Sequence, residues 1–169
     1  MGADEEFAEF YRRSSDGCLR AVLACGIERG LAEEVVAEAY ARAYSRWPAV
    51  SGHPSPQGWV VRTALNVATS RWRRTRREVS AESLPQGTAP PVAAAAEGRL
   101  PDPELAQQLA KLPPRQRQVI ALRILLDLDT AATASALGIA ESTVGVHLHR
   151  ALSTLRARMV AAADERSSR

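Results

Sequence analysis

The sequence predicts an all-α fold: two small helical domains joined by a flexible linker, the C-terminal one a helix-turn-helix. Three observations carry that prediction. Alanine, leucine and arginine dominate the composition, and all three favour helix. Apolar residues recur at three- and four-residue spacings, with no alternating β-branched runs. Between Glu78 and Asp102 the pattern collapses into Pro85, Gly87, Pro90, Pro91, the Ala93–Ala96 run, Gly98 and Pro101, which give no period and few large apolar side chains. Such a stretch reads as a linker. The expected division is therefore 1–78, a linker over 79–102, and 103–165.

Three helices fill the first half. In the first, Phe7, Phe10, Tyr11, Cys18, Val22 and Cys25 share one apolar stripe, punctuated by Gly26 and Gly30. The second is expected from about Leu31 to Arg46, with Val35, Val36, Ala39, Tyr40 and Ala43 inward and Glu33, Glu34, Glu38 and Arg42 outward. Pro48 and the run Ser51–Pro56 then predict a non-helical loop. The third helix is expected from near Gln57 to about Arg77. Val61, Ala64, Leu65, Ala68 and Trp72 form its core side, and Arg62, Asn66, Thr69, Arg73 and Arg77 project on a separate, positive face.

The second half opens with a helix over Glu104–Leu112, broken by Pro113-Pro114. Pro114 suits the first turn of the next helix, which carries Val119, Ile120, Leu122, Leu125 and Leu126. Asp129 is a good N-cap for a short helix, Thr130–Leu137, closed by Gly138. A last helix is expected from Glu141 to about Ala163. Its inward face is Val144, Leu148, Ala151, Leu152, Leu155 and Met159; Ser142, Thr143, Val146, His149, Arg150 and Ser153 point the other way. A short helix, a tight turn and a second amphipathic helix is the arrangement in which the second helix enters a DNA major groove.

The net charge of +3 is too small to argue from, but the basic residues cluster. Lys111 is the only lysine. Arginine suits phosphate and base recognition, although a GC-rich genome enriches it everywhere, so position must make the case. Arg71, Arg73, Arg74, Arg76 and Arg77 crowd the end of the third helix around Trp72. The helix dipole accounts for some cations there; five in seven positions call for a counter-charge, which a phosphate backbone supplies. Trp47 and Trp72 read as core, whereas Trp59, just after the loop, is equally suited to stacking on a base.

Other classes are disfavoured. Cys18 and Cys25, seven residues apart on one helix face, fit buried apolar packing, without the spacing of a zinc site. No glycine-rich phosphate loop, metal-spaced His/Cys set or triad is present, and His53, His147 and His149 are scattered, so neither an enzyme nor a metal or other cofactor is expected. No signal-peptide pattern and no apolar run near 18 residues occurs, which predicts a cytoplasmic protein without membrane insertion.

Four segments together resemble a known family. Glu33-Glu34-Val35-Val36-Ala37-Glu38-Ala39-Tyr40-Ala41-Arg42-Ala43-Tyr44 resembles the polymerase-binding helix of extracytoplasmic-function (ECF) sigma factors, two-domain members of the sigma-70 family. Trp59–Ala68 followed by the arginine cluster resembles their −10 recognition and melting helix. Leu112-Pro113-Pro114-Arg115-Gln116-Arg117-Gln118-Val119 resembles the start of their −35 domain. Leu137–Val144, ending in Leu148-His149-Arg150-Ala151-Leu152, resembles its helix-turn-helix. The four occur in the family's order and spacing.

The resemblance implies a non-enzymatic initiation factor with no cofactor. Glu33, Glu34, Ala37, Glu38 and Arg42 would bind core RNA polymerase at the β′ clamp helices, and the second domain its β flap. His53, Trp59, Arg62, Asn66, Arg73, Arg74 and Arg77 would hold the single-stranded −10 element of promoter DNA. Ser142, Thr143, Val146, His147, His149 and Arg150 would read the −35 duplex. Members are commonly restrained by an anti-sigma factor, a further candidate partner. Gly145 and Val146 stand where many members have a lysine or arginine and then a serine, His147 where arginine is frequent, and Ala37 where glutamine is. Val146 offers apolar contact alone, for example to a thymine methyl, which leaves His149 and Arg150 as the leading contacts. The alternative is a helix-turn-helix regulator that does not bind core polymerase.

Overall fold

A computed structural model describes residues 2–79 and 103–168. Eight α-helices and one π-helical turn make up the described residues, with no strand among them. They are α1 (Ala3–Ala24), α2 (Arg29–Ser45), α3 (Trp47–Ser51), α4 (Pro56–Val79), α5 (Pro103–Ala110), α6 (Pro114–Ile120), α7 (Thr130–Leu137) and α8 (Glu141–Ser167). The π turn, Ala121–Leu125, continues α6. Nearly all of the expected linker, 80–102, lies outside the described residues.

Local chemistry sets the boundaries. α1 ends before Gly26, whose φ of 86° is left-handed and suits a residue without a β-carbon. The Glu28 carboxylate caps α2 by accepting from the Gly30 and Leu31 amides at 2.9 and 3.2 Å. The loop expected after Trp47 is partly helical: Trp47–Ser51 forms one turn, with Pro48 in the first-turn position where its missing N–H costs nothing. α4 starts at Pro56 because the Ser55 hydroxyl caps it, accepting from the Gly58 amide at 3.0 Å. Asp129 caps α7 through the Ala132 amide at 2.7 Å, and Gly138, at φ 65°, closes it.

The apolar run after Pro114 departs from a regular helix. Leu126 donates to the Ala121 carbonyl at 3.1 Å, an i to i+5 bond that widens the turn, and Asp127 then takes a φ of 50°. Aspartate tolerates this conformation better than most non-glycine residues. The chain thereby swings Leu128 and α7 toward α4, and the Arg123 guanidinium holds the reversal by donating to the Leu128 carbonyl.

The first half packs as α1, α2 and α4 around Cys18, Val22, Val35, Ala39, Val60, Val61 and Ala64. Phe7, Phe10, Tyr40 and Trp47 add a cluster of edge-on and tilted rings. Buried Ser14 is satisfied by donating to the Phe10 carbonyl at 2.6 Å and pairing with the Tyr40 hydroxyl at 2.7 Å. In the second half α5, α6 and α8 enclose Leu109, Leu112, Ile120, Ala151 and Leu155.

Both helical halves are present as expected, but the pattern did not disclose that their buried residues are continuous. Val119, Ala121, Leu122, Ala134, Ala136, Leu137 and Val144 join the core of the first half. A unit of about 60 residues buries only about 60% of the surface its unfolded chain exposes, which leaves it marginal by itself, and α1 and α4 supply a further wall. Small residues permit the approach. A β-carbon on Gly58 would lie 2.8 Å from the Ala136 β-carbon and 3.3 Å from Leu128, and one on Gly17 would lie 3.2 Å from Leu126.

Gly58→Leu is therefore expected to lose about 1–3 kcal/mol of stability in urea unfolding. Gly52→Ala, whose β-carbon would make only ordinary contacts at 3.8 Å, should stay within about 0.5 kcal/mol. A second expectation concerns the thiols. Burial pushes Cys18 up to about 11 and Cys25 up to about 12, so both are protonated and enclosed at neutral pH. Thiol labelling should be slow in the native protein and rapid in denaturant.

Candidate nucleic-acid and partner interfaces

The outer face of α2 is a charged surface held in place by α4. Glu33 pairs with Arg29 one turn earlier, and Arg42 with Glu38. Arg71 of α4 reaches across to both Glu34 and Glu38, at 2.7 Å each. Ala37 is exposed at the centre of this face. All five residues expected at the polymerase-binding surface thus lie on one accessible helix side. Single exposed pairs contribute little, but here one guanidinium serves two carboxylates and fixes the α2–α4 register.

Arg71 was expected to face a phosphate backbone with its neighbours. Its counter-charge is instead internal, because α4 turns it toward α2. Arg73, Arg74 and Arg77 are exposed, and the Arg76 guanidinium stacks 5.0 Å above the half-buried Trp72 ring. Arg62 and Asn66 are exposed on the same helix. Trp59 is half-buried and packs on the core. His53 stands just ahead of them in the α3–α4 loop, where its Nδ1 accepts from the Ser55 amide at 3.0 Å. Trp47 is core, its indole donating to Glu6 at 3.2 Å.

Arg62 has a neighbour that the helix projection did not foresee. Its guanidinium lies over the helix-turn-helix turn, where a β-carbon on Gly138 would meet Nη2 at 3.2 Å. The residue expected on −10 DNA therefore lies against the second half.

On α8 the face expected to meet DNA is open. Ser142, Val146, His149 and Arg150 are exposed and Thr143 is half-buried. Val144, Ala151 and Leu155 are buried on the opposite side, against α6, α7 and α5. His147 differs: it is half-buried and its Nδ1 is enclosed without a hydrogen-bond partner, so the ring turns partly inward.

Sequence reading overlooked Arg117. It is only 5% exposed and donates to the Ala110 carbonyl at the end of α5, at 2.9 Å. Burial lowers its pKa. It borders a cavity of about 340 Å³ with Cys25, Leu65, Trp72 and Arg73, at the junction of the two halves. Nothing in its Pro-Pro-Arg-Gln-Arg run marks it as buried; the end of α5 and residues of the first half enclose it. No group of three or more His, Cys, Asp or Glu able to hold a metal occurs among the described residues, and none of their helices is long and apolar enough to cross a membrane.

The Glu38 carboxyl is held below its ordinary range, first by the Arg71 hydrogen bond and next by Arg42, against the opposing cost of desolvation. A carboxylate depressed in the folded state stabilises above the unfolded pKa of about 4.3 and loses that contribution as pH falls through the folded value. Glu38→Gln should therefore flatten the acid limb of the stability curve below about pH 5, measured by urea unfolding across pH.

Comparison with known proteins converges on one family. Residues 11–78 match the Sigma-70 region 2 model and residues 103–155 the Sigma-70, region 4 model. The chain is 35% identical over 162 residues to the RNA polymerase sigma-E factor of Streptomyces coelicolor, covering 95% of this chain and 90% of that protein. It is 33% identical to the sigma-E factor of Streptomyces avermitilis, over 89% of this chain and 83% of the relative. Among solved structures it resembles the sigma factor RpoE from Bartonella quintana, in a co-crystal with the anti-sigma factor NepR. The TM-score is 0.71 at 19% identity, covering 90% and 95% of the two chains. CnrH, solved with the cytosolic domain of CnrY, gives 0.63 at 21%, covering 94% and 90%.

Proposed function

The chain belongs to the ECF group of the sigma-70 family, and we propose that it directs promoter-specific initiation by binding core RNA polymerase and reading two DNA elements. The observation that carries this reading is the pair of helices α4 and α8. Each packs one apolar face inward and leaves an exposed face bearing arginine and hydrogen-bonding side chains. In this reading residues 1–78 bind polymerase and the melted −10 strand, 79–102 connect, and 103–165 read the −35 duplex. The protein is cytoplasmic and supplies binding energy, with no catalysis of its own.

Glu33, Glu34, Ala37, Glu38 and Arg42 form the surface for the β′ clamp helices; the second half meets the β flap. His53, Trp59, Arg62 and Asn66 border the site for an extruded −10 base, whose unstacking costs a few kcal/mol that stacking and hydrogen bonds offset. Arg73, Arg74 and Arg77 neutralise the adjoining phosphates. Ser142, Thr143, Val146, His147, His149 and Arg150 form the −35 face; Arg150 and the hydroxyls suit backbone contacts, and His149 a base edge. An anti-sigma factor is a further partner, supported by the two structural neighbours that were solved with one or with a cytosolic partner domain.

Both elements cannot be read in the arrangement described above. By their designations the two lie about 25 positions apart, or about 85 Å at the B-form rise of about 3.4 Å per base pair, whereas the Arg62 guanidinium of α4 lies over the turn before α8. Promoter engagement thus requires the halves to part. Energy transfer between labels at the ends of α2 and α8 should fall when the holoenzyme–promoter complex forms.

Run-off transcription with purified core polymerase and a promoter library tests the whole reading. Initiation dependent on the chain is expected, and none on any promoter, from a folded protein, would overturn it. Arg150→Ala should weaken −35 duplex binding about tenfold, within the cost of a single lost contact. Asn66→Ala should reduce strand opening in permanganate footprints; normal opening would remove Asn66 from the −10 site.

A further inference from the structure

The recognition helix holds a glycine that no contact among the described residues requires. Gly145 has ordinary helical backbone, and a β-carbon there would meet no atom of the described residues within 4 Å. Other glycines have a local reason: Gly26 and Gly138 are left-handed, and Gly17 and Gly58 sit at close helix contacts. In a helix interior glycine is disfavoured against alanine, because it exposes backbone and gives up more conformational freedom. Gly145 is exposed in the second turn of α8, with Ser142 one turn before it and His149 one turn after. Beside it Val146 is 47% exposed, an apolar branched side chain on an otherwise polar face.

We infer that Gly145 and Val146 together form a shallow apolar notch that receives the C5-methyl of one thymine in the −35 duplex. This rests on the reading of α8 as the DNA-facing helix and adds how it discriminates. A long side chain at 145 would hold the helix off the groove floor, whereas glycine lets the backbone itself approach the base edges. Val146 then supplies the wall against which a methyl packs. Thymine alone among the four bases presents a methyl in the major groove. Ser142, His149 and Arg150 set the orientation through polar contacts, and selectivity at this position comes from shape.

Holoenzyme built from the full chain is used to select tight binders from duplexes randomised across the −35 element. Each thymine of the selected sequence is then replaced singly by deoxyuridine, which removes the methyl and nothing else. One replacement should lower affinity about fourfold, the value of one buried methyl-sized group. Val146→Ala should abolish that difference. Gly145→Leu should bind the thymine duplex more weakly and no longer distinguish it from the uridine one. Gly145→Ala should melt at the same or a higher temperature, which separates a lost notch from a lost fold. A selected duplex indifferent to every methyl, or a Gly145→Leu chain that keeps the full difference, overturns the notch while leaving the sigma-factor reading intact. Failure to enrich any duplex overturns the reading of α8, and the notch with it.

Discussion

The rest of the molecule depends on how closely α4 approaches its neighbours. Val60, Val61 and Ala64 are fully buried, and one turn earlier Gly58 brings the helix backbone against Ala136. Glycine within a helix costs about 1 kcal/mol relative to alanine. Here that cost is offset by continuous packing, since it lets α7 close over the base of α4 and gives the small second half a wall for its apolar side chains. Without this contact, Ala134, Ala136 and Leu137 would lose the first half as a packing partner.

α4 also links surfaces of different chemistry. One side faces α2, where Arg71 clamps Glu34 and Glu38 and so fixes the acidic face proposed to meet polymerase. The next carries Arg62, Asn66, Arg73 and Arg77, proposed to meet the melted strand. Because Arg71 ties the α2 face to α4, polymerase docking as proposed would place the strand-binding residues without a separate hinge. Arg62 adds a competition: its guanidinium lies over Gly138 when the halves are together, and the same side chain is proposed to serve the −10 strand.

α8 follows a different logic. It is the longest helix described, and its buried side is a sparse line of Val144, Ala151 and Leu155 supported by half-buried Leu148 and Leu152. The opposite side is unobstructed, so its chemistry is set by the residues it displays. Those residues are small, apolar or singly basic, in place of a dense positive stripe.

The main helices other than the short α3, the caps at Asp129 and Gly138, and the outward faces of α2, α4 and α8 were legible in the sequence, because each follows from interactions within a few residues: a side-chain oxygen reaching an amide, a left-handed glycine, a period of 3.6. The family, too, was legible in four ordered segments. What only the tertiary structure decided depends on segments far apart in the chain. Arg71 was drawn from the basic cluster to Glu34 and Glu38, Arg117 was buried against the first half, the helix after Pro114 widened at Ala121–Leu125, and Arg62 met Gly138. Periodicity says which face of a helix is apolar; it does not say which other helix covers it, and that choice determined which charges remain available to a partner.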